Sequence, residues 1–363
     1  MQLRLGAKQV FFGCAILLTI IGILFVYSAS YYWGKVHYVD QTPFYVKQLI
    51  YACAALLLFF AIVRSKVKFT HKTVFWIYLV SIVLLILVLV PGIGLWRNGS
   101  RSWIGVGGLT IQPAEMAKLA TLLYLSKVIA DRPSGQSIMQ WRHMLIIAIP
   151  TVLIMLQPDF GAVFLLVVTC LFLLFISRYP IKMFMFILAV GAGLLTALII
   201  SAPYRLKRIT AFLNPWEDAL NSGFQAVQSL LAIGPAGFFG HGFLKSRQKY
   251  LYLPEPQNDF IFAIILEEIG LVGGLGLLLI FACFLVLGFK LALRCHEAFH
   301  FYAICALTTM IAVQACLNVG VVINLLPVTG VTLPFISYGG TSLVVVWLTV
   351  ALILNLSTGE RKE

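Results

Sequence analysis

Charge is scarce in this chain. Only 11% of its 363 residues are Asp, Glu, Lys or Arg, and 13 in all are acidic. Soluble domains carry about 25% charged residues, so this composition excludes a soluble globule. No internal repeat and no soluble domain stands out. The seven cysteines lie in or beside apolar segments and form no C-x-x-C pair. They read as small buried hydrophobes, which excludes a disulfide framework and a zinc site. A single basic patch is also missing. The net charge is +13, but the bases fall in short clusters between apolar runs. That pattern excludes nucleic acid as a partner and follows the positive-inside rule.

What is abundant is apolar sequence, at 61% of residues and a mean hydropathy of +0.98. Runs of roughly 18 or more apolar residues recur, each a membrane-span candidate. The expected fold is an all-α polytopic integral membrane protein forming a single membrane domain over 1–363. About ten spans are expected: Val10–Ser30, Val46–Val63, Thr73–Pro91, Ile111–Ile129, Met144–Gln157, Phe160–Ile176, Met183–Ala202, Phe260–Leu287, His300–Leu326 and Tyr338–Leu356. Pro150 and Pro158 interrupt and end the short fifth run, which also suits a re-entrant half. Arg4 and Lys8 precede a first run too long for a signal peptide's apolar region of roughly 7–15 residues, so it reads as an uncleaved span.

Orientation follows from the bases. Arg4, Lys8, Arg64, Lys66, Lys68, Lys72, Lys127, Arg132, Arg142, Arg178, Lys182, Lys290, Arg294, Arg361 and Lys362 share one side. The short loops opposite hold Lys35, Lys47, Arg97 and Arg101. Both termini are then cytoplasmic. Residues 203–258 form the one long connection, on the outer side between spans seven and eight. Its apolar, glycine-rich "GFQAVQSLLAIGPAGFFGHG" suits an ordered loop with a short interfacial helix.

Ionisable residues in or beside spans are functional candidates by default. Glu115 and Lys118, three apart, share a face of span four and also suit a simple mutual pair. Asp159 precedes span six, and Asp259 precedes span eight; either also suits a helix N-cap. Glu267 and Glu268 lie two turns into span eight, where a buried cation such as Lys118 is the expected partner. Arg101, Arg205, Lys207, Arg208, Arg247 and Lys249 ring the outer side. Asp259 stands apart. A carboxylate half-buried at a membrane face has its pKa pushed up, as a base working near neutral pH requires. "HEAFH" (296–300) matches the H-E-x-x-H zinc pattern but has no third ligand nearby in the sequence and reads as coincidence, so no metal site is expected.

Five stretches carry a resemblance: "RNGSRSWIGVGGLTIQPAEMAKLA" (97–120), "QPDFG" (157–161), "RLKRITAFLNPWED" (205–218), "YLPEPQNDFIFAIILEEIG" (252–270) and "PVTGVTLPFISYGGTSL" (327–343). The chain resembles the SEDS family (shape, elongation, division and sporulation), with wording closer to the FtsW and SpoVE members than to RodA. The resemblance implies a peptidoglycan glycosyltransferase that polymerises lipid II at the outer face of the bacterial cytoplasmic membrane. It implies a class B penicillin-binding protein as partner, among other divisome, elongasome or sporulation proteins. The family's essential aspartate falls on Asp259, with Asn258 where many relatives carry threonine. In that frame Asp259 is the catalytic base of an inverting displacement of undecaprenyl pyrophosphate. Arg101, Lys118, Arg205 and Arg208 would bind substrate with Glu115 and Asp159, and Glu267 and Glu268 would support. No cofactor is certain; a divalent cation, Mg or Mn, bridging the pyrophosphate is one expectation. A lipid II flippase or a scaffold for a partner synthase are the competing readings.

Overall fold

The computed structural model describes residues 2–37, 42–65, 69–97, 99–106, 109–132, 141–182, 212–250 and 252–357, with scattered positions between 184 and 193. Three long helices come first: α1 (Gln2–His37), α2 (Phe44–Arg64) and α3 (His71–Leu89). Their boundaries follow local chemistry. Pro43, with its fixed φ, stands at the N-cap of α2. Thr70 caps α3 by accepting the Thr73 N–H at 3.2 Å. Val90 ends α3 in an extended conformation ahead of Pro91.

Three short strands follow, a departure from the all-α expectation. They are β1 (Gly94–Arg97), β2 (Ser100–Val106) and β3 (Leu109–Ile111), paired antiparallel in sequence order. Arg97 pairs with Ser100 across an Asn-Gly sequence, and Gly99 takes φ +79°. Asn-Gly is the strongest short hairpin signal, and here it sits between two apolar runs that dominate the pattern. The ribbon also moves the start of span four: residue Ile111 is a strand residue, and α4 (Pro113–Ala130) opens with proline at its first position.

The other elements among the described residues are α5 (Trp141–Met155), α6 (Phe160–Ile176), α7 (Phe224–Ile233) with a 3₁₀ turn after it, α8 (Ile261–Leu293), α9 (Ala298–Val322) and α10 (Gly340–Leu356). Among the described residues, five helices (α2, α3, α8, α9 and the Gly6–Tyr32 part of α1) are long and apolar enough to cross a membrane. Each expected span except Met183–Ala202 falls on a helix; that one lies largely outside the described residues. α9 is the buried centre, packed against α8, α6 and α4. Outer faces remain apolar, with Leu57 of α2 and Leu279 of α8 both at least 70% exposed, as a lipid-facing surface requires.

α8 is not one continuous helix. Gly270 breaks it at φ 67°, ψ −172°. The backbone of residues 237–242 fills the break. The His241 and Gly242 N–H groups donate to the Glu267 and Glu268 carbonyls at 2.9 Å each. The Leu271 and Val272 N–H groups donate to the Gly237 and Phe238 carbonyls at 3.1 and 3.0 Å. Backbone groups freed by the break so find partners, which a membrane interior demands. A Cβ on Gly240 or Gly270 would meet backbone at 2.4 Å, so both glycines are required by the close approach. Residues 271–293 extend about 34 Å at the helical rise, enough to cross a bilayer core alone. The preceding segment, Ile261 to Glu268, is buried on all sides.

Candidate functional site

The site begins at the N-terminus of α4. Glu115 lies in its first turn, where the helix dipole favours an anion. One turn on, Lys118 donates from Nζ to Glu115 Oε1 at 2.7 Å, both side chains buried. The pair expected from their spacing is present. Asp159 caps α6, its Oδ1 accepting the Ala162 N–H at 3.0 Å, while its Oδ2 accepts from Gln112 Nε2 at 2.9 Å. Burial raises its pKa; the Ala162 N–H and Lys118 oppose that rise, and Glu115 adds to it. Glu115, Lys118 and Asp159 therefore belong to one electrostatic group across two helices.

Asp259 joins the group from α8. The N-cap of that helix is Phe260, with no side-chain cap, so the Asp259 carboxylate is not spent on capping. It is half-buried. Burial, then Glu255, then Asp159 push its pKa up to about 6. Glu255 sits four residues back at φ 43° and accepts from Asn258 Nδ2 at 2.7 Å. The carboxylate rests over the segment before α10. A Cβ on Gly330, itself at φ +73°, would lie 3.7 Å from Asp259 Oδ2. A Cβ on Gly161 would meet Val331 at 2.5 Å and the Thr329 carbonyl at 2.7 Å, so the start of α6 presses on the same segment. Thr341 closes the ring, accepting the Gln112 N–H at 3.3 Å and donating to the Thr110 carbonyl at 3.0 Å. The N-terminal ends of α4, α6, α8 and α10 thus meet around Glu115, Asp159, Glu255, Asp259 and the buried Lys118. This cluster sets a carboxylate whose pKa is pushed up to about 6 next to Glu255 and Asp159, with the buried Glu115–Lys118 pair acting on Asp159.

Arg101 faces elsewhere. Ser100 and Ser102 of β2 donate to the Gln157 carbonyl, just before Asp159. Side chains alternate along a strand, so Arg101 points from the other face. Its Nε reaches the Gly94 carbonyl at 3.3 Å and one terminal nitrogen reaches the Leu89 carbonyl at 3.2 Å. It tops the C-terminal end of α3, where a cation is favoured. Arg205, Lys207 and Arg208 lie outside the described residues.

Glu267 and Glu268 form a second group, and here the pairing expected from sequence is corrected. The partner of Glu268 is Lys249, at 3.1 Å, because Lys118 is taken by Glu115. Ser28 of α1 also donates to Glu268, at 2.5 Å. Glu267 accepts from Ser246 Oγ and from the N–H groups of Arg247 at 2.8 Å and Gln248 at 3.3 Å. These acids pin residues 246–249 to α8 and α1 beside the Gly270 break.

Sequence reasoning passed over Gln112, Ser28, Gln314 and Asn318. The last two had a signal: amides four apart inside the apolar "MIAVQACLNVG" share one helix face, and polar side chains in a span seek specific partners.

A family model described as "Cell cycle protein", covering FtsW, RodA and SpoVE, matches residues 8–362. The chain is 44% identical over 354 residues to stage V sporulation protein E of Bacillus subtilis, covering 95% of each. It is 37% identical to the probable peptidoglycan glycosyltransferase FtsW of Legionella pneumophila, over 96% of this chain and 90% of that one. Among solved structures it superposes with a TM-score of 0.79 and 28% identity on a chain of a peptidoglycan synthase complex that coordinates polymerization and crosslinking, covering 97% of this chain and 98% of that one. Thermus thermophilus RodA superposes with a TM-score of 0.70 and 26% identity, over 97% of each.

Proposed function

This chain belongs to the family of FtsW, RodA and SpoVE, polytopic membrane proteins, and on that footing we propose that it is a peptidoglycan glycosyltransferase polymerising lipid II. The observation that carries the mechanism is Asp259: a half-buried carboxylate, free of any capping role, with its pKa pushed up to about 6. In this reading an acceptor sugar hydroxyl loses its proton to Asp259 Oδ2 or Oδ1 as its oxygen attacks the donor's anomeric carbon. The bond to undecaprenyl pyrophosphate breaks with inversion. General base catalysis is typically worth about 10²–10⁴-fold. Lys118, held by Glu115, would offset charge developing on the leaving group.

Basic residues between the apolar runs support a cytoplasmic location for both termini, which puts the Asp259 end of α8 at the outer face. A class B penicillin-binding protein is the proposed partner, since polymerisation and crosslinking are coordinated in the synthase complex this chain resembles. A divalent cation, Mg or Mn, would have to draw part of its shell from the pyrophosphate. Among the described residues no group of three or more His, Cys, Asp or Glu side chains is arranged to hold a metal. Arg205 and Arg208 remain proposed contacts to pyrophosphate.

A transporter reading has one feature in its favour, the broken helix α8, because transporters bind substrate at such breaks. Here the Glu267 and Glu268 carbonyls and the Leu271 and Val272 N–H groups are taken by residues 237–242, which fills the break with the chain's own backbone. The test is purified protein with lipid II in detergent. Glycan polymer from the parental chain and none from Asp259→Asn supports the glycosyltransferase. Lipid II movement across sealed vesicles without polymer would replace it with the transporter.

A further inference from the structure

Helix α9 carries two amides, Gln314 and Asn318, four residues apart and each 1% exposed. Burying an amide costs free energy unless it is hydrogen-bonded, and both amide nitrogens donate across segments. The two Nδ2 protons of Asn318 go to different places: the Asp259 carbonyl at 2.7 Å and the Val331 carbonyl at 2.8 Å. One turn earlier, Gln314 Nε2 donates to the Thr332 carbonyl at 3.0 Å and to Thr332 Oγ1 at 3.3 Å. A third link joins the same two segments, from the Tyr338 N–H to the Gln257 carbonyl at 2.8 Å. Asn318 is the link that touches the main chain of Asp259 itself. It adds to the Tyr338–Gln257 bond a tie one residue before the N-cap of α8, which has no side-chain cap.

We infer that Asn318 is a positioning residue for Asp259, clamping its backbone to the segment over Gly330 so that the carboxylate stays beside Glu255 and Asp159. This inference rests on the reading of Asp259 as the base. The charged groups facing Asp259 are Glu255 on its own approach and Asp159 at the start of α6. Glu115 and Lys118 of α4 act on Asp159 from behind. Releasing the clamp lets the carboxylate swing away from these acids and toward water. Two consequences follow. The reacting geometry loosens, and a displacement of about 1 Å costs on the order of 10²-fold in rate. Desolvation and like charge also relax, so the base ionises at lower pH.

The experiment uses Asn318→Ala and Asn318→Ser in the full chain, purified in detergent, with lipid II polymerisation followed across pH. For Asn318→Ala the expected result is a fall in kcat of about 10–10²-fold, with KM for lipid II held within about twofold. The acid limb of the rate profile should move from near 6 toward the ordinary aspartate range. Asn318→Ser keeps one donor and should fall between. Parental rates in both variants overturn the inference. So does a lower rate with an unmoved acid limb, which marks a residue that only supports folding, and so does failure of both variants to fold. The base reading fails separately: Asp259→Asn would then polymerise at the parental rate, whatever Asn318 does.

Discussion

The protein keeps two sets of buried or half-buried acids, and it treats them in opposite ways. Glu267 and Glu268 are surrounded by donors: two backbone N–H groups and Ser246 on one, Ser28 and Lys249 on the other. Asp259 sits among other acids instead, with Glu255 and Asp159 raising its pKa and its carboxylate excused from capping α8. The first arrangement ties the acids to residues 246–249 and to α1 by hydrogen bonds and an ion pair. The second destabilises the ionised form and leaves the acceptor available. Acids two turns into a helix and just before its N-cap thus serve the fold and the chemistry respectively, and strong perturbation marks the second kind.

The widest separation between the two sets should come from Asp259→Asn. Loss of the base should lower polymerisation by about 10²–10⁴-fold, while membrane insertion and partner binding stay intact. Stability should move the other way. A raised carboxyl pKa means that the folded state binds the proton more tightly than the unfolded chain. Parental stability therefore falls as pH rises from the ordinary aspartate range to about 6. Above that pH Asp259→Asn removes the burial of a charge and should raise Tm. Parental activity, or a lowered Tm at pH 7, would put Asp259 with the structural acids.

Lys118→Met comes next. It leaves Glu115 buried without its 2.7 Å partner and removes the positive charge that favours ionised Asp159. We expect turnover to fall by on the order of 10²-fold, with the acid limb of the rate profile moved to lower pH. The sign follows from charge: with the cation gone Asp159 takes up a proton more readily, and a neutral Asp159 no longer pushes the Asp259 pKa up. A rate profile that keeps its acid limb would limit Lys118 to pairing with Glu115.

Much of this is legible in the sequence, and for physical reasons. Apolar run length marks helices because a bilayer leaves few alternatives, so α6 begins at Phe160 and ends at Ile176 as its apolar run does. The Glu115–Lys118 pair is a matter of spacing on one helix, and Asp159 as a cap needs only its place before an apolar run. What spacing cannot give is which of two cations meets a given acid. Lys249 reaches Glu268 because residues 237–242 enter the break at Gly270, a long-range backbone match with no local signature beyond three glycines. The β-ribbon carries the Asn-Gly signal, but its apolar flanks read as the ends of two spans.

Glu268→Gln tests the structural set. Breaking a buried ion pair by removing one partner costs about 3–5 kcal/mol, so yield and Tm should drop. Activity per folded molecule should hold near parental, in contrast to Asp259→Asn. Adding Lys249→Met to Glu268→Gln should recover part of the loss, since no uncompensated lysine would remain, and coupling of about 0.5–3 kcal/mol is expected for such neighbours. Full additivity would show that the pair does not interact in the folded protein.

The smallest effect belongs to Arg101, and it decides which set a cation near the site joins. Its guanidinium spans the Leu89 and Gly94 carbonyls, holding the end of α3 to the hairpin that carries Ser100 and Ser102 onto the Gln157 carbonyl. Lysine at this position keeps the charge but loses the planar fork, so it reaches one carbonyl at a time. Arg101→Lys should therefore cost about 1 kcal/mol of stability and leave polymerisation within a few-fold. Arg101→Gln removes the charge as well and separates the roles. If Arg101 only tops α3, the two variants should match in turnover and in the salt dependence of lipid II binding. If it meets the pyrophosphate, Arg101→Gln should lose lipid II affinity and its salt dependence together, while Arg101→Lys keeps both. The Leu89 and Gly94 contacts favour the first outcome.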